Sequence, residues 1–181
     1  MDDIARQAIE RGAQQKPAEL VGFLTLLAVV NPQIVVEIGV AAGGTVWAWQ
    51  HYADQVIGID NSPDAPYKGN VHIVGDSHDP DTFTELLAAL DGNLIDCLFI
   101  DGDHSYDGAR QDFDMYAPLV RPGGVVALHD IAAESTPDYE IGVPKLWAEL
   151  RTDTTVEFID STPGSGGQWG DGWGGIGVIT V

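Results

Sequence analysis

Residues 94–131 read LIDCLFIDGDHSYDGARQDFDMYAPLVRPGGVVALHDI, and the fold is decided there. Leu98, Phe99 and Ile100 run straight into Asp101, while Val125, Val126, Ala127 and Leu128 run straight into His129 and Asp130. Uninterrupted apolar runs of this kind suit parallel strands covered on both faces. Between them Ala109, Phe113, Tyr116 and Leu119 recur at helical intervals, and Pro122-Gly123-Gly124 turns the chain into the second run. This is a βαβ unit. Its crossover is right-handed and its strands parallel, so Asp101 and the pair His129-Asp130 emerge at one carboxyl edge, where open α/β sheets bind ligands.

Working outward, the same grammar repeats. Residues 71–74 form an apolar run ending in Gly75-Asp76-Ser77-His78, followed by a helix over 79–90 with Phe83, Leu86, Leu87 and Leu90 inward. Residues 56–59 end in Asp60-Asn61, and residues 34–36 lead into Glu37-Ile38-Gly39. Gly43-Gly44-Thr45 then opens a helix carrying Val46, Trp47 and Trp49. Ahead of these strands lie an amphipathic helix over 2–11 and a second from Pro17 to about Val30, whose stripe is Leu20, Phe23, Leu24, Leu27 and Val30. They cover a sheet face or form a lid, and packing is the expected role. On the other side, residues 132–140 read as a loop, 145–151 as a helix, and 155–159 and 176–181 as terminal strands. The segment between those strands, STPGSGGQWGDGWGG, is a glycine-rich loop with aromatic platforms at Trp169 and Trp173. These could stack on a sugar or an aromatic acceptor, latch the loop, or make an oligomer contact.

Composition narrows the function class. The 181 residues, 44% hydrophobic and 8% aromatic, suit one domain over 1–181. The 8 Lys and Arg are scattered among 28 Asp and Glu, for a formal charge of -20. Such a field repels phosphate backbones and anionic lipid, so neither nucleic acid nor a membrane is expected as partner; it equally suits solubility or high salt. Cys97 is alone, inside a strand run, and reads as a small core residue. The N-terminal MDDIARQAIERG is acidic and polar rather than a signal sequence, and residues 20–30 are too few to span a bilayer, so a cytoplasmic protein is expected.

A glycine-rich turn between strand and helix marks a close approach of backbone to ligand. A dinucleotide fingerprint fails because position 41 is Ala, and a phosphate loop fails for want of a Lys in the turn. Glu37-x-Gly39-x-x-x-Gly43 instead resembles the first motif of class I S-adenosylmethionine-dependent methyltransferases. Asp101 and His129-Asp130, within F-I-D-G-D-H-S-Y and R-P-G-G-x-x-x-x-H-D, resemble the divalent-metal site of metal-dependent O-methyltransferases. That group includes catechol O-methyltransferase, the macrocin and mycinamicin sugar O-methyltransferases, and cephalosporin hydroxylase and rhamnosyl O-methyltransferase relatives.

The resemblance implies a Rossmann-like seven-stranded α/β fold, mostly parallel with an antiparallel last strand and helices on both faces. A helical cap would occupy 1–31 and the core 32–181. It implies S-adenosylmethionine held by Glu37, Gly39, Ala41, Gly43, Thr45, Asp60, Asn61, Asp76, Ser77 and Asp101, with Asp60 accepting both ribose hydroxyls, a plain N-cap or turn residue being its alternative, and Asp76-Ser77 bordering the adenine. It implies a divalent metal at Asp101, His129 and Asp130. Since His129 stands where the sugar enzymes commonly have an acid, Mg²⁺ or Mn²⁺ come first but Zn²⁺ or Fe²⁺ stay open. His129 could instead orient substrate, leaving two carboxylates and waters around the ion, or the groups could position substrate without metal, or Asp130 could be a plain N-cap. His104, three residues after Asp101 and at the start of the following helix, is the implied general base, with Asp103 orienting it or taking that role itself; a plain turn residue is the alternative. The implied reaction is methylation of a hydroxyl on a small molecule, a sugar or natural-product alcohol, by an enzyme that in some relatives is a homodimer. A catalytically silent S-adenosylmethionine-binding subunit or sensor is the alternative, and a nicotinamide enzyme is disfavoured by Ala41.

Overall fold

Every apolar run that ends in an ionisable group is a strand of one sheet in the computed structural model, which describes residues 1–137, 139–167 and 170–181. In chain order the strands are β1 (Ile34–Ile38), β2 (Gln55–Asp60), β3 (Val71–Val74), β4 (Ile95–Ile100), β5 (Val120–His129), β6 (Val156–Phe158) and β7 (Ile176–Thr180). The helices are α1 (Asp2–Glu10), α2 (Pro17–Val30), α3 (Gly44–Trp49), α4 (Pro80–Leu90), α5 (Tyr106–Tyr116) and α6 (Val143–Leu150). The sheet order is β3-β2-β1-β4-β5-β7-β6. β1 to β5 pair in parallel, and β7 runs antiparallel to both β5 and β6. This is the expected seven-stranded arrangement.

The pleat sorts the apolar runs onto two faces. Val36, Ile38, Ile57, Ile59, Leu98, Ile100, Val126 and Leu128 pack with Leu86 and Leu90 of α4, Ala109 and Tyr116 of α5, and Leu146 and Trp147 of α6. Val35, Val56, Cys97, Phe99, Val125 and Ala127 pack on the other side with Leu20, Phe23, Leu24 and Leu27 of α2, and with Trp49 of α3. Both faces are covered, so the strands read as unbroken apolar runs, and each fully buried Leu or Ile contributes about 1.5–3 kcal/mol. The N-terminal helices therefore pack, as expected. Pro17 starts α2 and Asn31, at φ 49°, ends it in the left-handed region.

Three local expectations differ. Leu87 is exposed rather than inward, because Thr82, Leu86 and Leu90 define the buried face of α4. Pro122-Gly123-Gly124 does not precede the last parallel strand but lies within it as an irregularity. Ile95 pairs with Val120 and Cys97 already with Val125, and Gly123 donates to the Val181 carbonyl at 2.6 Å. His104 stands before α5 rather than in it, since Ser105 is the N-cap and its hydroxyl accepts from the Gly108 amide at 3.1 Å.

The chain passes from β1 outward through β2 and β3, then returns to the other side of β1 with β4. The switch falls between β1 and β4, and a crevice opens there at the carboxyl ends. Glu37, Asp60, Asp76, Asp101 and His129 all reach it.

Candidate active site

The glycines of the first turn serve backbone packing. Gly39 has φ +86°, and a Cβ there would lie 2.1 Å from the Asp101 carbonyl oxygen. Gly43 has φ +79°, and its Cβ would lie 1.9 Å from the carbonyl oxygen of Tyr67. At both positions the chain itself approaches the glycine closely. Ala41, with φ 47°, holds the left-handed conformation without being glycine. Asp60 fixes the same turn: Oδ2 accepts from the amides of Val40 at 2.7 Å and Ala41 at 2.8 Å, and Oδ1 accepts from Ser62 at 2.7 Å. Three of the carboxylate's lone-pair positions are thus filled by backbone, and the part left for a ribose is smaller than expected.

Glu37 is buried in β1, where it accepts from the Thr45 hydroxyl and, at 2.6 Å, from Trp49 Nε1. Burial raises its pKa to about 8, against the lowering effect of those two donors. The folded value lies above the unfolded one near 4.5, so the favourable protonated state is complete below that value and lost as pH rises to about 8. The ligand-free protein is therefore expected to lose a few kcal/mol of stability across that window. Glu37→Gln should flatten the dependence in denaturation curves taken from acid to mildly alkaline pH; an unchanged slope would remove Glu37 as its source.

At the tips of β4 and β5 two carboxylates meet two imidazoles. His129 Nδ1 lies 3.1 Å from Asp101 Oδ1 and 3.3 Å from Asp130 Oδ1. His104 Nε2 lies 3.5 Å from Asp101 Oδ1, and its Nδ1 3.4 Å from Asp130 Oδ2. Burial alone would lower the pKa of His129, but Asp101 and Asp130 outweigh it and raise it to about 9. The same pair, led by Asp101, raises His104 against its burial. Asp101 is held below the usual carboxylate range, its burial overcome by the imidazoles, whereas the deeper Asp130 is pushed up by burial. Asp130 also adopts φ 63°, a strained conformation of the kind found at functional sites.

Donor atoms of Asp101, His104 and Asp130 all lie within 4.8 Å of one another, which makes this trio a candidate cation site among the described residues. His129 stands beside it against both carboxylates. Asp103, expected to orient His104 or to act as base itself, accepts from the Ser105 amide at 2.8 Å in the turn ahead of α5, and the groups facing His104 are Asp101 and Asp130.

A second layer comes from distant sequence. Trp173 sits 5.5 Å from the His104 ring, with Tyr139 stacked on it at 6.4 Å. The loop of Trp173 is tied down by Asp130 Oδ1, which accepts from Gly174 at 3.0 Å, and by the buried Lys16, whose Nζ donates to the carbonyls of Asp160 at 3.0 Å and Asp171 at 2.8 Å. The other expected platform, Trp169, lies outside the described residues. Gln15 went unnoticed in the sequence, where nothing in Gly12-Ala13-Gln14-Gln15 marks a site. It is buried, and its Nε2 donates to Asp101 Oδ2 at 2.8 Å.

These groups enclose a cavity of about 510 Å³. Of the residues expected to hold the cofactor, Glu37, Gly39, Ala41, Thr45, Asp60, Asn61, Asp76, Ser77 and Asp101 line it, and Gly43 does not. His104, Asp103, His129, Gln15 and Trp173 line the same space. Asp130 lies behind the wall, fully buried. Among the described residues no helix is long and apolar enough to cross a membrane.

A family model described as a methyltransferase domain matches residues 36–131. Demethylmacrocin O-methyltransferase of Streptomyces fradiae is 31% identical over 108 residues, covering 54% of this chain and 27% of that protein. Ribosomal RNA large subunit methyltransferase E of Methanoculleus marisnigri is 28% identical over 172 residues, covering 87% and 79%. Among solved structures, an O-methyltransferase from Bacillus cereus in complex with SAH aligns at TM-score 0.66 and 16% identity, covering 100% of this chain and 92% of that one. The MycE methyltransferase of the mycinamycin biosynthetic pathway, in complex with Mg, SAH and mycinamycin VI, aligns at TM-score 0.53 and 23% identity, covering 61% and 33%. The chain thus spans about a quarter of the macrocin relative and a third of MycE.

Proposed function

This chain belongs to the methyltransferase domain family, and we propose that it transfers a methyl group from S-adenosylmethionine to a hydroxyl of a small molecule, a sugar or natural-product alcohol. The observation that carries the reading is the charge of the cavity wall. Asp60, Asp76, Asp101 and Asp103 line it, with no Lys or Arg among the described residues that do so. Such a wall attracts a sulfonium with an ammonium beside it and repels a pyrophosphate or an RNA backbone. The donor occupies the β1/β2/β3 side and the acceptor the side of His104 and Trp173. Demethylmacrocin O-methyltransferase by its name and MycE by the mycinamycin VI in its complex support the acceptor class.

In the transfer the methyl C–S bond breaks as the C–O bond forms, the electron pair stays on sulfur as a thioether, and the hydroxyl proton goes to His104. Asp101 beside Nε2 orients the ring and raises its basicity, and Nδ1 has no hydrogen-bond partner among the described residues. Stacked Trp173 and Tyr139 shield the reacting atoms from water and align the acceptor. The residues also fit a divalent cation: Asp130 Oδ2 is buried without a hydrogen-bond partner among the described residues, donor atoms of Asp101, His104 and Asp130 lie within 4.8 Å of one another, and two carboxylates with an imidazole suit Mg²⁺ or Mn²⁺ and admit Fe²⁺ or Zn²⁺. Asp101 and Asp130 would hold it with His129 as third donor, and when bound it would make the acceptor hydroxyl more acidic. The Mg in the MycE complex supports this assignment.

The test is transfer of labelled methyl from S-adenosylmethionine to a panel of sugars, glycosides and aromatic alcohols. Chelator-treated protein should lose turnover and regain it with Mg²⁺ or Mn²⁺, and Asp101→Asn or Asp130→Asn should each abolish metal binding in calorimetry. Undiminished turnover after chelation would leave the transfer to His104 alone.

A further inference from the structure

Resting on that reading, we propose that Gln15 holds the ammonium group of the methyl donor's methionyl end. The side chain lines the cavity and is only 4% exposed. The Gln15 amide turns its NH₂ toward Asp101, with Nε2 donating to Oδ2 at 2.8 Å. That orientation commits the carbonyl oxygen to the opposite side, where Oε1 is buried without a hydrogen-bond partner among the described residues. A buried acceptor left unpaired is costly, and the fold keeps this one against the cavity.

The chemistry of the corner selects the missing donor. Asp101 and Asp103 line the same cavity as Gln15, so Oε1 adds a neutral acceptor beside carboxylates. The one cation of this segment, Lys16, is turned away onto the carbonyls of Asp160 and Asp171. An ammonium brings positive charge and three N–H donors, so it can reach Oε1 and a carboxylate together, whereas a hydroxyl brings one. Gln15 thus links donor and acceptor sites: one end of its amide takes the methionyl ammonium and the other steadies Asp101.

The test titrates chelator-treated full chain with S-adenosylhomocysteine and with its deamino analogue, which lacks only the ammonium. In Gln15→Met, of similar shape and without polar hydrogen-bonding atoms, S-adenosylhomocysteine should bind about tenfold more weakly while the analogue binds as it does to the wild type. Gln15→Asn, one methylene shorter, provides the same comparison should Gln15→Met fail to fold. Equal weakening of both ligands would reduce Gln15 to a wall of the pocket, and no change in either would remove it; each overturns the inference. A wild-type chain that binds neither ligand would overturn the proposed function along with it.

Discussion

His104→Ala is expected to lower methyl transfer by a factor of about 10²–10⁴, the usual worth of a positioned general base, while leaving S-adenosylhomocysteine affinity unchanged. The separation follows from position. His104 stands between β4 and α5, facing Asp101, Asp130 and Trp173, and is not among the residues assigned to the donor. Because His104 also shares the candidate cation site, the measurement needs a third arm. Calorimetric titration of His104→Ala with Mn²⁺ should give wild-type affinity if the ring is the base. Loss of metal binding together with turnover would make it a ligand instead, and unchanged turnover would exclude it from the chemistry.

Gly39→Ala should cost more than about 4 kcal/mol, a loss reserved for backbone collisions and comparable defects. The new Cβ would lie 2.1 Å from the Asp101 carbonyl oxygen and 2.7 Å from Gly102 Cα, and neither atom can rotate aside. Gly92 supplies the control. Its φ of +81° is nearly the same, but a Cβ there meets nothing within 4 Å, so Gly92→Ala should cost only the backbone strain, about 1–2 kcal/mol. Denaturant unfolding of both variants separates collision from strain. Equal losses would mean that the packing of the β1 turn against Asp101 does not matter.

The sheet was legible because both of its faces are covered: Ile34 to Ile38 and Ile95 to Ile100 are apolar runs with few interruptions, each ending in a polar tip. The βαβ rule then brought Asp101 and His129-Asp130 together without any knowledge of side chains. What stayed hidden depends on contacts distant in sequence. The Gln15 amide meets Asp101 across 86 positions and Lys16 meets Asp160 across 144, so no local pattern marks either. The Val40 and Ala41 amides from which Asp60 accepts lie 20 and 19 positions away in another turn, so that contact has no local mark either. The bulge at Pro122-Gly123-Gly124 looked like a turn because proline and glycine serve both purposes, and only the register against β4 tells them apart.

The measurement that bears most directly on the account is calorimetric titration of the chelator-treated wild-type chain with S-adenosylmethionine, with NAD as comparator. The acidic, lysine-free wall at the β1/β4 switch predicts saturable one-to-one binding that S-adenosylhomocysteine competes away, and no heat from NAD. Absence of S-adenosylmethionine binding, or tighter binding of NAD, would contradict it.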